Sequence, residues 1–198
     1  MKLISFGDDL VKNSSSPKIL ADMLGYDFED LSELETSNQK IFRDVVNYVC
    51  ENGTGNYFIL IGWTAGERFE VCYDDKKFIF SKDKTEYPIY GAKILTKHQH
   101  VIFNEILVGQ HRASEAFTLQ QMLFNLKVNF YMYNTQDTIF FNEKTLHYLK
   151  ALNGRYYHNP LNRSSSMKYF RLTEQQEKYN QKEWAEFLFN KISMEQPS

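Results

Sequence analysis

The feature that most constrains the fold is an uninterrupted apolar run, Tyr57 to Gly62, that directly follows a helical pattern. The run has the length of a strand, and its lack of polar alternation is typical of a central strand in a parallel sheet. Upstream, from about Ser37 to Glu51, apolar residues recur at helical spacing. The opening run Lys2 to Phe6 has the character of another buried strand. Strand, helix and strand in this order predict an α/β fold with a mainly parallel sheet.

The rest of the chain carries further helix and strand patterns. Two pairs of residues predict the ends of helices: Pro17 and Gly25 for a short helix, and Thr36 with Gln39 as a capping box for the helix that ends near Gly53. The other predicted elements are a weak strand near Tyr26 to Leu31, a hairpin between Phe69 and Phe80, helix from Ala92 to Leu126, a strand from Val128 to Tyr133, and a last helix marked by Trp184, Leu188 and Ile192.

These patterns predict one domain over residues 1–198, since the chain shows neither an internal repeat nor a linker. The domain carries a possible hairpin insertion near 69–90 and an irregular loop near 154–173, where Pro160 and a serine run interrupt any periodicity.

Composition excludes several classes of partner. A formal net charge of -2 provides no overall field to hold nucleic acid, and no apolar run reaches the roughly 18 residues of a membrane span. The chain opens without the basic region of a secretion signal, and its cysteines, Cys50 and Cys72, lack metal-site spacing. We therefore expect a cytoplasmic protein with free thiols, without a cofactor, and with neither a membrane nor a nucleic acid partner.

Two blocks of sequence next to the predicted strands resemble those of the SGNH (GDSL-type) hydrolases. In that family the first strand ends in Gly-Asp-Ser-Leu, and the serine is the nucleophile. Here the strand is followed by Gly7-Asp8-Asp9-Leu10, so Asp9 stands in the serine position. The second block, Gly-x-Ser-Asn in a phage-encoded branch, is similar to Glu35-Thr36-Ser37-Asn38, which has Glu35 in place of the oxyanion-hole glycine.

The third block is the most specific match. Phage-type relatives write it as Gly-Trp-Thr followed by an arginine, and this chain has Gly62-Trp63-Thr64 followed by Arg68. The last block of the family places an aspartate and a histidine before a helix with a Trp-Ala pair. Counting back from Trp184-Ala185 gives Thr173 and Gln175, so both residues are absent. The resemblance extends to about Ile192 and implies a three-layer α/β/α sandwich of the SGNH or flavodoxin type.

The resemblance implies the fold without the family's ester chemistry, and we predict no catalytic residue and no metal ligand. Hydrolysis of this type needs a hydroxyl activated by histidine and donors for the oxyanion, whereas Asp9 and Glu35 bring negative charge to both places. The candidate residues of a binding cleft are Asp8, Asp9, Glu35, Asn38, Trp63, Thr64, Arg68 and His158.

Alternatives remain for several of these candidates. Asp8 and Asp9 could cap a turn or pair with Arg68, or they could join Glu35 in a carboxylate cluster for a hard cation such as Mg²⁺. Trp63 could be a core residue. His158 is the only histidine in the late irregular loop, near the place of the family's histidine.

Three functions follow from these patterns. The first is a catalytically silent SGNH-fold protein, encoded by a phage and located in the host cytoplasm, that binds an unidentified small molecule or protein. The second is a hydrolase with altered, carboxylate- or metal-dependent chemistry. The third is a virion-associated scaffold, because a fold alone does not fix a function.

Overall fold

The computed structural model describes residues 1–64, 68–73, 76–80, 105–135, 156–157 and 174–195. The strands are β1 (Lys2–Phe6), β2 (Asp27–Asp30), β3 (Tyr57–Trp63), β4 (Phe69–Tyr73), β5 (Lys76–Phe80), β6 (Asn129–Asn134) and β7 (Tyr156–Tyr157). The helices are α1 (Asp9–Lys12), α2 (Ser16–Leu24), α3 (Asn38–Asn52), α4 (Glu105–Asn125) and α5 (Glu174–Glu195).

Five strands form one sheet in the order β2-β1-β3-β6-β7, and every neighbouring pair in it is parallel. The strands β4 and β5 form a separate antiparallel hairpin. The chain runs outward from β1 to β2, returns to β3 on the other side of β1, and then continues outward to β6 and β7. The strand order therefore reverses between β1 and β3, and in open α/β sheets the carboxyl ends of such strands border the crevice that binds ligands.

The apolar side chains of the strands alternate between two core clusters, each of which includes residues of helices. Ile4, Ile59 and Met132 belong to a core cluster that includes α3 and α4. The neighbouring residues Leu3 and Leu60 belong to a second cluster, which includes α2 and α5. The central strand β3 is buried along its whole length, as its uninterrupted apolar sequence predicted.

The ends of α2 and α3 follow local sequence signals. Gly25 ends α2 with a φ of 69°, and Gly53 ends α3 with a φ of 66°, in the region that glycine adopts at little cost. The predicted capping box of Thr36 and Gln39 was wrong by one residue. Ser37 is the cap of α3, because its backbone is extended and its hydroxyl accepts the amide of Lys40 at 3.2 Å.

Most predicted elements are confirmed, with bounds shifted by one or two residues, and the hairpin is confirmed at 69–80. The short helix α1 after β1 was not predicted, and the loop predicted near 154–173 was wrong at Tyr156–Tyr157, which form β7 and pair with β6. The predicted helix from Ala92 is described only from Glu105 onward, and the remainder of the insertion up to residue 90 and of the late loop lies outside the described residues. Among the helices described, none is long and apolar enough to cross a membrane.

Candidate functional site

The carboxyl ends of β1, β3 and β6 meet around the side chain of Asp8. One carboxylate oxygen, Oδ1, accepts the amides of Leu10 at 3.1 Å and Val11 at 3.4 Å, and so caps α1. The other, Oδ2, accepts the hydroxyl of Thr64 at 2.5 Å and lies 3.3 Å from the hydroxyl oxygen of Thr135. Asp8 therefore joins three strand ends and the first turn of α1.

Burial decides the ionisation of Asp8. The residue is fully buried, and the loss of hydration raises its pKa, while the hydrogen bond from Thr64 and the charge of Arg68 lower it; the net shift is upward. A fully buried carboxyl group whose two oxygens both accept hydrogen bonds from the protein is not presented to a ligand. Asp8 is a structural residue at the base of the site.

Asp9 is the partly exposed carboxylate of the site. Its Oδ2 accepts Nη2 of Arg68 at 2.7 Å, and its Oδ1 accepts the backbone amide of Glu35. Partial burial alone would raise the pKa of Asp9, but the hydrogen bonds from Arg68 and from the Glu35 amide outweigh it and the net pKa is lowered. The carboxylate is thus ionised at neutral pH and held by a cation and an amide.

The backbone at Glu35 has the conformation that glycine favours. Its φ is 51°, in the left-handed region, which costs roughly 1–2 kcal/mol for a residue with a side chain. This is the position at which the second block of the SGNH hydrolases has glycine. In this chain the conformation persists with glutamate, and the amide that it presents is bound by Asp9.

Asn38 and Thr64 form a closed pair between α3 and the end of β3. The amide nitrogen of Asn38 donates to the carbonyl of Thr64 at 3.1 Å, and the amide of Thr64 donates to the side-chain oxygen of Asn38 at 2.8 Å. Both residues are buried. The pair fixes the chain after β3, so the Asn38 amide is used for structure and is not presented to a cleft.

Trp63 packs in the core, which was the alternative to its predicted place in a binding cleft. Its side chain is buried with the cluster on the α3 and α4 face of the sheet. Its carbonyl accepts two bonds from Thr135, at 2.9 Å from the amide and 2.9 Å from the hydroxyl. The Trp63 carbonyl therefore holds Thr135, the residue after β6, against the end of β3.

Two glycines allow α1 to pack against the sheet. A Cβ added at Gly7 would lie 2.3 Å from a methyl carbon of Val11, and one added at Gly62 would lie 2.5 Å from the same carbon and 2.9 Å from the hydroxyl oxygen of Tyr133. All three distances are shorter than van der Waals contact. The glycine of the third block is thus required here for packing, independently of any chemistry.

Arg68 is the cation of the site. Its side chain is 20% exposed, its carbonyl accepts Nη2 of Arg112 at 2.9 Å, and the carboxylates of Asp9, Asp8 and Glu35 raise the pKa of its guanidinium against the opposing effect of burial. Its Nη1 is buried without a hydrogen-bond partner within the described part of the chain. Asp9 uses the other arm of the guanidinium, Nη2.

The structure brings together most of the predicted site. The contacts above place Asp8, Asp9, Glu35, Thr64 and Arg68 at one edge of the sheet. The suggested carboxylate cluster for a cation does not form: within the described ranges, no three His, Cys, Asp or Glu side chains are placed to hold a metal ion. His158 and Thr173 lie outside the described residues, and Gln175 lies in the first turn of α5.

Sequence reasoning missed two residues of the site, Val11 and Thr135. Val11 lies in a helix that was not predicted, and Thr135 directly follows β6. The position of Thr135 after a strand parallel to β3 was a usable signal, because the carboxyl ends of parallel strands meet at one edge.

Comparisons with protein-family models, with curated proteins and with solved structures found no match for this chain.

Proposed function

We propose that this chain is a catalytically silent protein with the fold of the SGNH hydrolases, encoded by a phage, that uses the edge of the sheet for binding. The observation that carries the proposal is the state of Asp9. At the place of the family's nucleophile stands an ionised carboxylate that is bound by Arg68 and by the amide of Glu35.

The proposed architecture is a three-layer α/β/α sandwich of the SGNH or flavodoxin type. The strand order of the sheet and the two core clusters support it, since α2 and α5 pack on one face and α3 and α4 on the other. The left-handed backbone at Glu35 and the close packing at Gly62 also agree with the glycines of the family's blocks.

The chemistry of the site favours binding over hydrolysis. Acyl transfer to a hydroxyl needs a base within about 2.6–3.2 Å of the hydroxyl, and donors directed at the developing oxyanion. The contacts of Asp9 described here are to a guanidinium and a backbone amide, and both stabilise its charge. A carboxylate whose pKa is lowered is a weak base and a weak nucleophile, so it offers no substitute for the missing serine and histidine.

The test is hydrolysis of short p-nitrophenyl esters by the purified wild-type protein, combined with labelling by a fluorophosphonate probe. We expect turnover at the background rate and no labelling, and we expect the same for Asp9→Ser, because the base is not restored by one change. The matched control is Asp27→Asn at an exposed position in β2, away from the site. Wild-type turnover that Asp9→Asn abolishes and Asp27→Asn leaves intact would contradict the proposal and establish the carboxylate-dependent hydrolase instead.

A further inference from the structure

We infer that the Glu35 amide and the Arg68 guanidinium form a binding site for an oxyanion, a phosphate or carboxylate group, and that Asp9 is its built-in occupant. The inference deepens the proposed function, on which it rests, by giving the chemical class of the ligand. It begins from the two bonds that hold Asp9, one to each oxygen of its carboxylate.

These two donors are arranged as a receptor for an anion. A guanidinium and a backbone amide directed at the two oxygens of one carboxylate form charge-assisted hydrogen bonds, which are the strong class of such bonds. The donors come from separate parts of the chain, the loop before α3 and the residue before β4. They therefore converge on one point in space without depending on α1, which carries Asp9.

The backbone at both donor residues is held by contacts other than Asp9. The turn at Glu35 precedes the cap of α3 at Ser37, and the carbonyl of Arg68 is bound by Arg112. Removal of the Asp9 carboxylate should leave the Glu35 amide and the Arg68 backbone in place, with the guanidinium within reach of the vacated position. The second arm of Arg68, whose Nη1 has no hydrogen-bond partner among the described residues, adds a donor that Asp9 does not use.

Asp9 and Arg68 are both partly exposed, which allows a ligand anion to replace the Asp9 carboxylate. The Arg68 side chain is 20% exposed and the Asp9 side chain 30% exposed, so Asp9 can turn outward into water without unfolding its surroundings. A ligand anion must displace Asp9 to bind. Because a tethered group competes at an effective concentration in the millimolar range or above, we expect wild-type affinity for a small anion to be at least about tenfold weaker than that of a variant without the carboxylate.

Two nearby carboxylates reduce the affinity of the site for an anion. The carboxylates of Asp8 and Glu35 lie near enough to raise the pKa of Arg68. Asp8 is needed for the fold, but the exposed Glu35 side chain can be neutralised while its backbone amide is kept. Glu35→Gln should therefore strengthen anion binding in a background that lacks the Asp9 carboxylate.

The experiment is titration of inorganic phosphate, and separately of acetate, followed by amide chemical shifts and by isothermal calorimetry. We expect weak or no binding by the wild type, binding by Asp9→Ala that is at least about tenfold tighter, further tightening in Asp9→Ala/Glu35→Gln, and loss of binding in Asp9→Ala/Arg68→Gln. Asp9→Asn serves as a second variant, because it removes the charge and nearly preserves the volume.

The inference is overturned if folded Asp9→Ala and Asp9→Asn bind neither anion more tightly than the wild type, or if Arg68→Gln leaves the binding unchanged. Folding of each variant is checked by its far-ultraviolet circular dichroism. The outcome is separable from that of the ester assay: hydrolysis would refute the silent site while leaving the anion titration unaffected, and failure to bind anions would refute the inference while leaving the absence of hydrolysis intact.

Discussion

Asp8→Ala is expected to lower the free energy of unfolding by about 3 kcal/mol, through loss of the cap of α1 and loss of a partner for a buried hydroxyl. The variant leaves the amides of Leu10 and Val11 without their acceptor, and it leaves the hydroxyl of Thr64 without its partner. Chemical denaturation measures the effect. Asp27→Ala, at an exposed position, is the matched control and should change stability by less than about 0.5 kcal/mol.

The ionisation of Asp8 adds a dependence on pH. Burial raises the pKa of Asp8 in the folded protein above the ordinary value of 3.8. The contribution of this shift to the free energy of unfolding is therefore fully present below the unfolded pKa, and it is lost as the pH rises through the folded pKa. The stability of the wild type relative to Asp8→Asn should therefore fall as the pH rises over the interval from the unfolded pKa of Asp8 to its raised folded pKa. A relative stability that rises over this interval, or a cost of Asp8→Ala no larger than that of Asp27→Ala, would contradict the structural role given to Asp8.

Gly62→Ala is expected to lower the free energy of unfolding by about 3 kcal/mol, at the upper end of the usual cost of overpacking. The added methyl group would lie 2.5 Å from a methyl carbon of Val11, 2.9 Å from the hydroxyl oxygen of Tyr133 and 3.0 Å from the methyl carbon of Thr135. All three neighbours are buried, so none can move aside without disturbing the core.

A double-mutant cycle with Val11→Ala tests the cause. Because Val11→Ala removes the closest neighbour, the double variant should be less destabilised than the sum of the two single variants. Gly55→Ala is the control, since the position is exposed and the atoms nearest to its new methyl group belong to the Tyr57 ring, at 3.1 Å, and to one carbonyl, at 3.8 Å. Additive costs in the cycle would show that contact with Val11 is not the source of the effect.

The sequence predicted the two central strands β1 and β3 well because both are largely buried and carry mostly apolar runs. The runs at Lys2 to Phe6 and at Tyr57 to Gly62 correspond to β1 and β3, each within one residue. Short elements gave no such signal. α1 spans one turn and β7 two residues, so neither is long enough for a periodic pattern to show.

The candidate site was predictable in position and less so in detail. Strand ends placed Asp8, Asp9 and Thr64 together, because carboxyl ends of parallel strands share an edge. The division of roles between Asp8 and Asp9 was not predictable, since adjacent residues with the same side chain differ here only in direction. One is buried as a cap, and the other meets Arg68. Sequence periodicity does not encode that difference.

The central claim is that Asp9 is an ionised carboxylate bound by Arg68 and the Glu35 amide. Titration of the Asp9 carboxyl carbon by ¹³C NMR tests this claim most directly. Bound by Arg68 and the Glu35 amide, Asp9 should titrate below its ordinary value of 3.8 in the wild type, and its pKa should rise in Arg68→Gln because the guanidinium is lost. An Asp9 that titrates at or above 3.8 in the wild type, or whose pKa is unchanged in Arg68→Gln, would contradict the account of an occupied and silent site.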